Sequence, residues 1–250
     1  MFVEYPNLPK GEVSSVAISA DAHDAIEKLN DFGINSLIIP KSVRLPEPVS
    51  SHADLQLLHF GRNRIFTSDE HLFLGESEKK FEIYRTRAAL GNKYPNDVLL
   101  NCKIIGKHIF LNKKTIDEQI LEYAYLNELT VINVNQGYTG CSICIINESA
   151  IITDDESIFA AAGKFLNDVL FISKGSIRLN GYDYGFIGGC CGKISSDKLA
   201  VNGKIESHKD YKKIIDFTNK HNVKIIELSE NVLTDIGGIL PLTEKVPDAI

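Results

Sequence analysis

No stretch of this sequence approaches the roughly 18 consecutive apolar residues that a membrane-crossing helix requires. That absence sets aside the helical membrane proteins. Positive charge is not in excess either: 27 Lys and Arg stand against 33 Asp and Glu, a formal net charge of −6. Such a balance argues against a nucleic-acid backbone as the main partner. Cysteine is sparse and odd in number, five in 250 residues, so a disulfide scaffold is not expected, and a chain of this length buries a core without staples. The first ten residues carry Glu4, Pro6 and Pro9 and lack the basic-then-apolar layout of a secretory leader. A soluble protein of the reducing cytoplasm is the expectation. The sequence also lacks a P-loop, a dinucleotide-binding glycine pattern, a zinc-protease motif and a Gly-x-Ser-x-Gly elbow. With 44 % apolar and 24 % charged residues, it has the composition of an ordinary globular protein.

Four segments have helical periodicity. Asp21 to Phe32 places Ala22, Ala25, Ile26 and Leu29 on one face and stops at Gly33. Thr115 to Leu126 opens with a Thr-x-x-Glu pattern, Thr115 to Glu118, that reads as a capping box. Asp155 to Leu166 and His208 to His221 have the same character. A short β-rich run follows each: Ser36 to Ile39, Thr130 to Val134, Asp168 to Ile172 and Val223 to Leu228. These apolar runs read as buried strands.

The chain then repeats itself. Five times a polar or glycine-rich opening leads into an apolar strand: His52-Ala53-Asp54, Asn96-Asp97, Gly140-Cys141, Gly188-Gly189-Cys190-Cys191 and Asp235-Ile236-Gly237-Gly238. Return strands follow at Arg64 to Thr67, His108 to Leu111, Ala150 to Thr153 and Lys198 to Val201. The spacing is roughly 45 residues, in the range of repeated supersecondary units. The fifth copy is cut short, and its missing half, Val16 to Asp21 with the helix to Phe32, lies at the N-terminus. The expectation is a ring closed by pairing Val13 to Ser19 with the segment near Gly238 to Leu242, which would remove exposed sheet edges. From Ser68 to Pro95 no helix is evident.

Five ββαβ units closing into a ring resemble the pentein fold of the guanidino-modifying enzymes. That family holds arginine and agmatine deiminases, dimethylarginine hydrolases, amidinotransferases and a non-catalytic ribosome anti-association factor. The resemblance implies an α/β fold, a five-fold pseudosymmetric β/α propeller forming a single domain over residues 1–250. It further implies a central small-molecule site for a guanidino or amino compound, with no cofactor and no metal. The alternative is a mixed α/β domain without that symmetry.

In such a ring the unit openings line a central channel, where a few polar groups in an apolar frame make a site. Read as strand residues, His52 and Asp54 share a face; a carboxylate beside an imidazole suits acid–base work or the grip of a guanidinium. The other reading is a solvated loop. Asn96-Asp97-Val98 is similar to the acidic opening that holds the substrate's guanidino end in the family, which makes Asp97 a substrate ligand; an Asx turn after Pro95 is the plain alternative. Cys141 and Cys144 have Cys-x-x-Cys spacing, but on a strand they face opposite ways and cannot share one metal. Cys144 then belongs to the core and Cys141 to the channel. Gly188 to Gly192 holds Cys190 and Cys191, of which at most one faces a channel; Lys193 and His52 are the cations that could activate it. Two small buried residues are the alternative. Cys102 reads as structural.

The family's nucleophilic Cys lies in its last unit, where this chain has Asp235-Ile236-Gly237-Gly238 and no Cys. Its catalytic His falls where this chain has Gly188 to Cys190. The standard triad therefore does not transfer. Two readings remain. One is a divergent hydrolase or amidinotransferase with its nucleophile at Cys190, Cys191 or Cys141, His52 as acid–base, and Asp54, Asp97, Cys141 and Asp235 as substrate ligands. The other is a catalytically silent binding or ribosome-associated module.

Overall fold

The structure, a computed structural model, describes residues 1–68 and 80–246. In chain order the elements are β1 (Val13–Ser19), α1 (His23–Asp31) and β2 (Asn35–Ile39), then α2 (Ala53–Gln56), β3 (Leu57–His59), β4 (Arg64–Thr67) and β5 (Glu82–Arg85). Next come β6 (Lys103–Ile105), β7 (His108–Leu111), α3 (Glu118–Leu126) and β8 (Thr130–Asn133). A third such set is β9 (Ile143–Asn147), β10 (Ala150–Thr153), α4 (Glu156–Ala162) and β11 (Asp168–Phe171). The fourth is β12 (Cys191–Lys193), β13 (Lys198–Val201), α5 (Tyr211–Lys220) and β14 (Lys224–Glu227), and β15 (Leu240–Glu244) is the last element described.

These strands form five three-stranded sheets. In each, an antiparallel pair is followed by a parallel third strand, as in β9–β10–β11. The helices α1, α3, α4 and α5, which connect the parallel partners in four of the sheets, are the crossovers such pairs require. Strand β15 pairs antiparallel with β1, with Val16 opposite Pro241 and Ala17 opposite Leu240, so the two ends of the chain share a sheet as the repeat pattern anticipated. β15 is the outer strand of its sheet, and among the described residues its other side meets only the N-terminal segment, through the Phe2–Thr243 bridge and the Val3 N–H to Leu242 carbonyl bond, neither of which needs an N–H from Pro241. The Ser68 to Pro95 stretch contains β5; its residues 69–79 lie outside the described ones.

Two local expectations need correction. The parallel strands β2, β8, β11 and β14 are outer edges and mostly half-buried or exposed, because the helix covers one face only. It is the central strands, such as β10, that are fully buried. The Thr115 capping box does not form: α3 starts later, and the Asp117 side chain accepts from the Gln119 N–H at 3.0 Å. Asp155 does the same for α4, accepting from the Ile158 N–H, and both satisfy donors that a helix start leaves orphaned.

Apolar side chains from neighbouring sheets interlock. Ala17, Ile39, Leu57 and Ile65 join the β1 and β3 sheets; Phe66, Ile104 and Ile109 join the β3 and β6 sheets. Phe110, Ile143 and Ile151 join the β6 and β9 sheets; Ile146, Ile152 and Leu199 join the β9 and β12 sheets. Val16, Ile18 and Ala200 join the β12 sheet to the β1 sheet. Phe110 and Ile151 have no exposed surface, and each side chain is worth about 1.5–3 kcal/mol of transfer free energy. No helix among the described residues is long and apolar enough to cross a membrane.

Candidate functional site

The turns that precede β3, β6, β9, β12 and β15 meet in one place, held by hydrogen bonds that run from each to the next. Asn101 Nδ2 donates to the Asp54 carbonyl at 3.3 Å, and Asn101 Oδ1 accepts from the N–H groups of Gly140 (2.7 Å) and Cys141 (3.2 Å). The Gly189 N–H donates to the Cys141 carbonyl, and the Gly189 carbonyl accepts from Ile236 and Gly238. The Asp54 N–H then donates to the Gly237 carbonyl at 3.0 Å. Turns carry unpaired backbone groups, and burying them together is tolerable only because they satisfy one another. Glycine is needed where they touch. A Cβ at Gly189 would lie 2.1 Å from Asp235 Oδ1, and Gly237 combines φ of +74° with a Cβ position 2.4 Å from His52 Cβ.

Beside these turns lies a cavity of about 220 Å³ lined by His52, Cys141 and Asp235, with Tyr138, Tyr182 and Phe186 among its walls. Cys141 Sγ donates to Asp54 Oδ2 at 2.8 Å and accepts from Asn101 Nδ2 at 3.1 Å. His52 Nδ1 lies 3.8 Å from Asp235 Oδ1. Asp235 is fixed by the N–H groups of Phe186 (2.9 Å) and Gly237 (3.0 Å). Burial pushes the Cys141 thiol well above its ordinary range, and the Asp54 and Asp235 carboxylates add to the shift. Burial also raises Asp235, opposed by the His52 imidazole.

The expected site residues are thus divided. His52, Cys141 and Asp235 share the cavity. Asp54 and Asp97 stand behind its wall: Asp54 reaches it through Cys141, and Asp97 accepts from the Tyr138 hydroxyl at 2.5 Å. Each keeps one buried carboxylate oxygen, Oδ1, without a hydrogen-bond partner among the described residues. The Tyr138 hydroxyl is raised by burial and by this bond to Asp97. His52 and Asp54 are not strand residues sharing a face. His52 is the cap of α2 and Asp54 lies in its first turn, and the two serve different partners.

The vicinal cysteines are placed elsewhere. Cys190 ends a 3-10 turn, and its thiol donates to the Ile187 carbonyl at 3.2 Å. Both Cys190 and Cys191 belong to the apolar core between the β9 and β12 sheets and do not line the Cys141 cavity. Burial raises the Cys190 thiol, and the adjacent Cys191 adds to it. Lys193 does not serve Cys190; its ammonium donates to the Ser196 carbonyl. The glycines around the pair admit the Asp235 side chain and the Cys141 and Ile143 carbonyls rather than a ligand.

Cys141 precedes β9 instead of lying on it, while Cys144 sits within β9. Their neighbours differ: Cys144 packs in the core, where a hydrogen bond with the Cys191 thiol and burial raise it. Among the described residues no group of three or more His, Cys, Asp and Glu side chains is placed to hold a metal ion. Cys102 is buried before β6, which pushes its thiol up to about 12. Asn101, which ties three turns together, escaped the sequence reading. Its position immediately before a unit's first strand was the available signal.

Solved structures of an amidinotransferase, an agmatine deiminase and DDAH share this fold. An amidinotransferase of the saxitoxin biosynthetic pathway, SxtG from Microseira wollei, is similar with a TM-score of 0.62 at 12 % identity, covering 100 % of this chain and 99 % of that one. A C. jejuni agmatine deiminase has a TM-score of 0.57 at 13 % identity, covering 98 % and 97 %. DDAH from Pseudomonas aeruginosa, complexed with citrulline, has a TM-score of 0.56 at 10 % identity over 91 % and 96 %. The chain itself belongs to a family of unknown function (DUF6873), whose model matches residues 17–240. No curated protein matches it in sequence.

Proposed function

We propose that residues 1–250 form a single pentein domain, with the five sheets arranged as blades around a pseudo-fivefold axis. Two observations support it: each sheet shares a core with the next and the fifth with the first, and the five turns are hydrogen-bonded in the same cyclic order. In this reading the Cys141 cavity binds a small guanidino or amidine compound and acts on it as a hydrolase or amidinotransferase. The observation that carries the reading is the convergence of a thiol, an imidazole and a buried carboxylate on one aromatic-walled cavity. The five cysteines are all free thiols, which favours a reducing, cytoplasmic setting.

The chemistry follows from the contacts. A planar cation is attracted to the Asp235 carboxylate and to the faces of Tyr138 and Phe186. Its positive charge lowers the thiol pKa that burial and two carboxylates have raised. Cys141 Sγ attacks the central carbon, forming a C–S bond, and its proton passes to Asp54 Oδ2. His52 protonates the departing nitrogen as the C–N bond breaks. Water or an amine then attacks the thio-intermediate, His52 takes its proton, the C–S bond breaks, and Asp54 returns the proton to sulfur.

The test compares alkylation of Cys141 by a haloacetamidine, which is cationic, with the neutral haloacetamide. A preference of at least about tenfold for the cation is expected, lost in Asp235→Asn, with labelling absent in Cys141→Ser. Equal rates would overturn the cation site. A preference without any ammonia or amine release from a panel of guanidino compounds would convert the enzyme into a binding module, the reading that the elevated thiol pKa of the ligand-free site favours.

A further inference from the structure

Asn101 precedes β6 and stands between Asp54 and Cys141, with its side chain buried. Its backbone N–H donates to the Val98 carbonyl, which sets it in the turn. The orientation of its carboxamide is fixed by what surrounds it. Oδ1 accepts from two backbone N–H groups, those of Gly140 (2.7 Å) and Cys141 (3.2 Å). Nδ2 faces the other way, where the Asp54 carbonyl is an acceptor at 3.3 Å. Exchanging the two ends would set donors against donors and one oxygen against another. Gly140 permits the approach, since a Cβ there would lie 2.8 Å from the Cys102 carbonyl oxygen and 3.2 Å from Asn101 Oδ1. So oriented, Nδ2 also donates to Cys141 Sγ, 3.1 Å away.

The turns do not need that last bond, because Oδ1 and the Asp54 carbonyl already tie them through the same side chain. A thiol sulfur is a weak acceptor. A thiolate is a strong one, since hydrogen bonds to an ionised partner are about twice as strong as neutral ones. Among the described residues Cys141 is the thiol that accepts from a side-chain N–H; Cys190 instead donates, to the Ile187 carbonyl. We infer that Asn101 is a catalytic residue of this site, its Nδ2–H holding the negative charge that develops on Cys141 Sγ as the thiol proton passes to Asp54 Oδ2. The inference rests on the reading of Cys141 as the nucleophile. As the S–H bond breaks, its electron pair stays on sulfur and the new Asp54 hydroxyl turns from acceptor to donor. The thiolate then lies between two donors, and the Asn101 amide neither gains nor loses a proton. Its donor stands in place before the proton moves, so no reorganisation is required at that moment.

The test is alkylation of the ligand-free protein by neutral haloacetamide between pH 7 and 9, on the wild type, Asn101→Leu and Asn101→Ser, with Cys141→Ser as the blank. Loss of a hydrogen bond to an ionised group should cut the thiolate fraction about tenfold. A more basic thiolate recovers part of that in nucleophilicity. Rates about threefold or more below the wild type are therefore expected, with the line of log rate against pH displaced in parallel. A residue that only tied turns would give the opposite sign. Loosened turns admit water and reagent to Cys141, and burial is the largest cause of its raised pKa, so alkylation would speed up. A rate equal to or above the wild type in a folded variant would overturn the inference. Asn101→Ser is smaller and keeps a hydroxyl for the Gly140 N–H; it is read in the same way should the Leu variant not fold. The ratio of haloacetamidine to haloacetamide rates is measured on the same samples and should not change, because Asp235 remains. A ratio lost in the variants alone would show that the turns had moved, and would also overturn the inference. A ratio near one in the wild type rejects the cation site, while slower alkylation in the Asn101 variants still supports the donor, so the two failures are told apart.

Discussion

Cys141 Sγ donates a 2.8 Å hydrogen bond to Asp54 Oδ2 across 87 positions of sequence. The contact holds the thiol proton on sulfur, because the nearby carboxylate disfavours a second negative charge. Asp54→Asn removes that charge and leaves burial, the larger cause of the shift. The ligand-free thiol should then alkylate about threefold or more faster at neutral pH, since the thiolate is the reactive form. Rates against pH for wild type, Asp54→Asn and Cys141→Ser check this. An unchanged Cys141 rate would remove the carboxylate from control of the thiol.

The return strands Arg64 to Thr67, His108 to Leu111, Ala150 to Thr153 and Lys198 to Val201 coincide with β4, β7, β10 and β13. They were legible because a strand buried over all or nearly all of its length and bounded by turn residues leaves little ambiguity in its sequence. The pairing of β1 with β15 followed from counting half-repeats. The site was only partly legible. His52, Cys141 and Asp235 stood out as polar residues at unit openings, but which of the three candidate cysteines, Cys141, Cys190 and Cys191, faced the cavity depended on turns a few residues long. A 3-10 turn at Gly188–Cys190 rotates both vicinal cysteines into the core, and a single turn of helix after His52 separates it from Asp54. Such turns are set by contacts with distant segments, here Asp235 and Gly237, and not by local periodicity.

Asp154 is buried, with no hydrogen-bond partner for Oδ1 among the described residues, and burial raises its carboxyl to about 6. The folded chain therefore holds this proton more tightly than the unfolded one does. The group favours the fold while it is protonated, below the ordinary carboxylate range. That contribution is lost as pH rises towards 6. Asp154→Asn removes the penalty and should stabilise the protein at pH 7 by on the order of 2 kcal/mol, with no gain at pH 4. Denaturant unfolding at the two pH values measures it; an equal effect at both would contradict the assignment.

Gly189 is where the Asp235 side chain crosses the fourth opening, and an added Cβ would come within 2.1 Å of Oδ1 and 2.4 Å of Cγ. The carboxylate cannot swing away without losing the Phe186 and Gly237 N–H groups. Gly189→Ala should therefore destabilise by about 1–3 kcal/mol, the usual cost of overpacking. It should also weaken cation binding by displacing Asp235. Thermal unfolding and ligand titration on the same sample test both, and a variant of wild-type stability would show that the contact yields.

Asp235 supplies the negative charge that a guanidinium would meet in the cavity, and its ionisation sets the pH range in which such a ligand binds. Burial raises this carboxyl and the His52 imidazole partly restores it. Cation affinity requires the ionised form, so it should fall as pH drops, beginning above the ordinary carboxylate range near 3.9 and steepening towards tenfold per pH unit. Calorimetric titration of methylguanidine between pH 5 and 8 follows this directly, with neutral methylurea as a ligand whose binding should not change. Asp235→Asn should bind at least tenfold more weakly at pH 8 and lose most of the pH dependence. His52 lies 3.8 Å from the carboxylate and also faces the ligand, so His52→Gln is titrated in parallel. It should keep the fall at low pH, because the carboxylate remains. If the dependence survives in Asp235→Asn and vanishes in His52→Gln, repulsion by the imidazolium and not loss of the carboxylate governs the site.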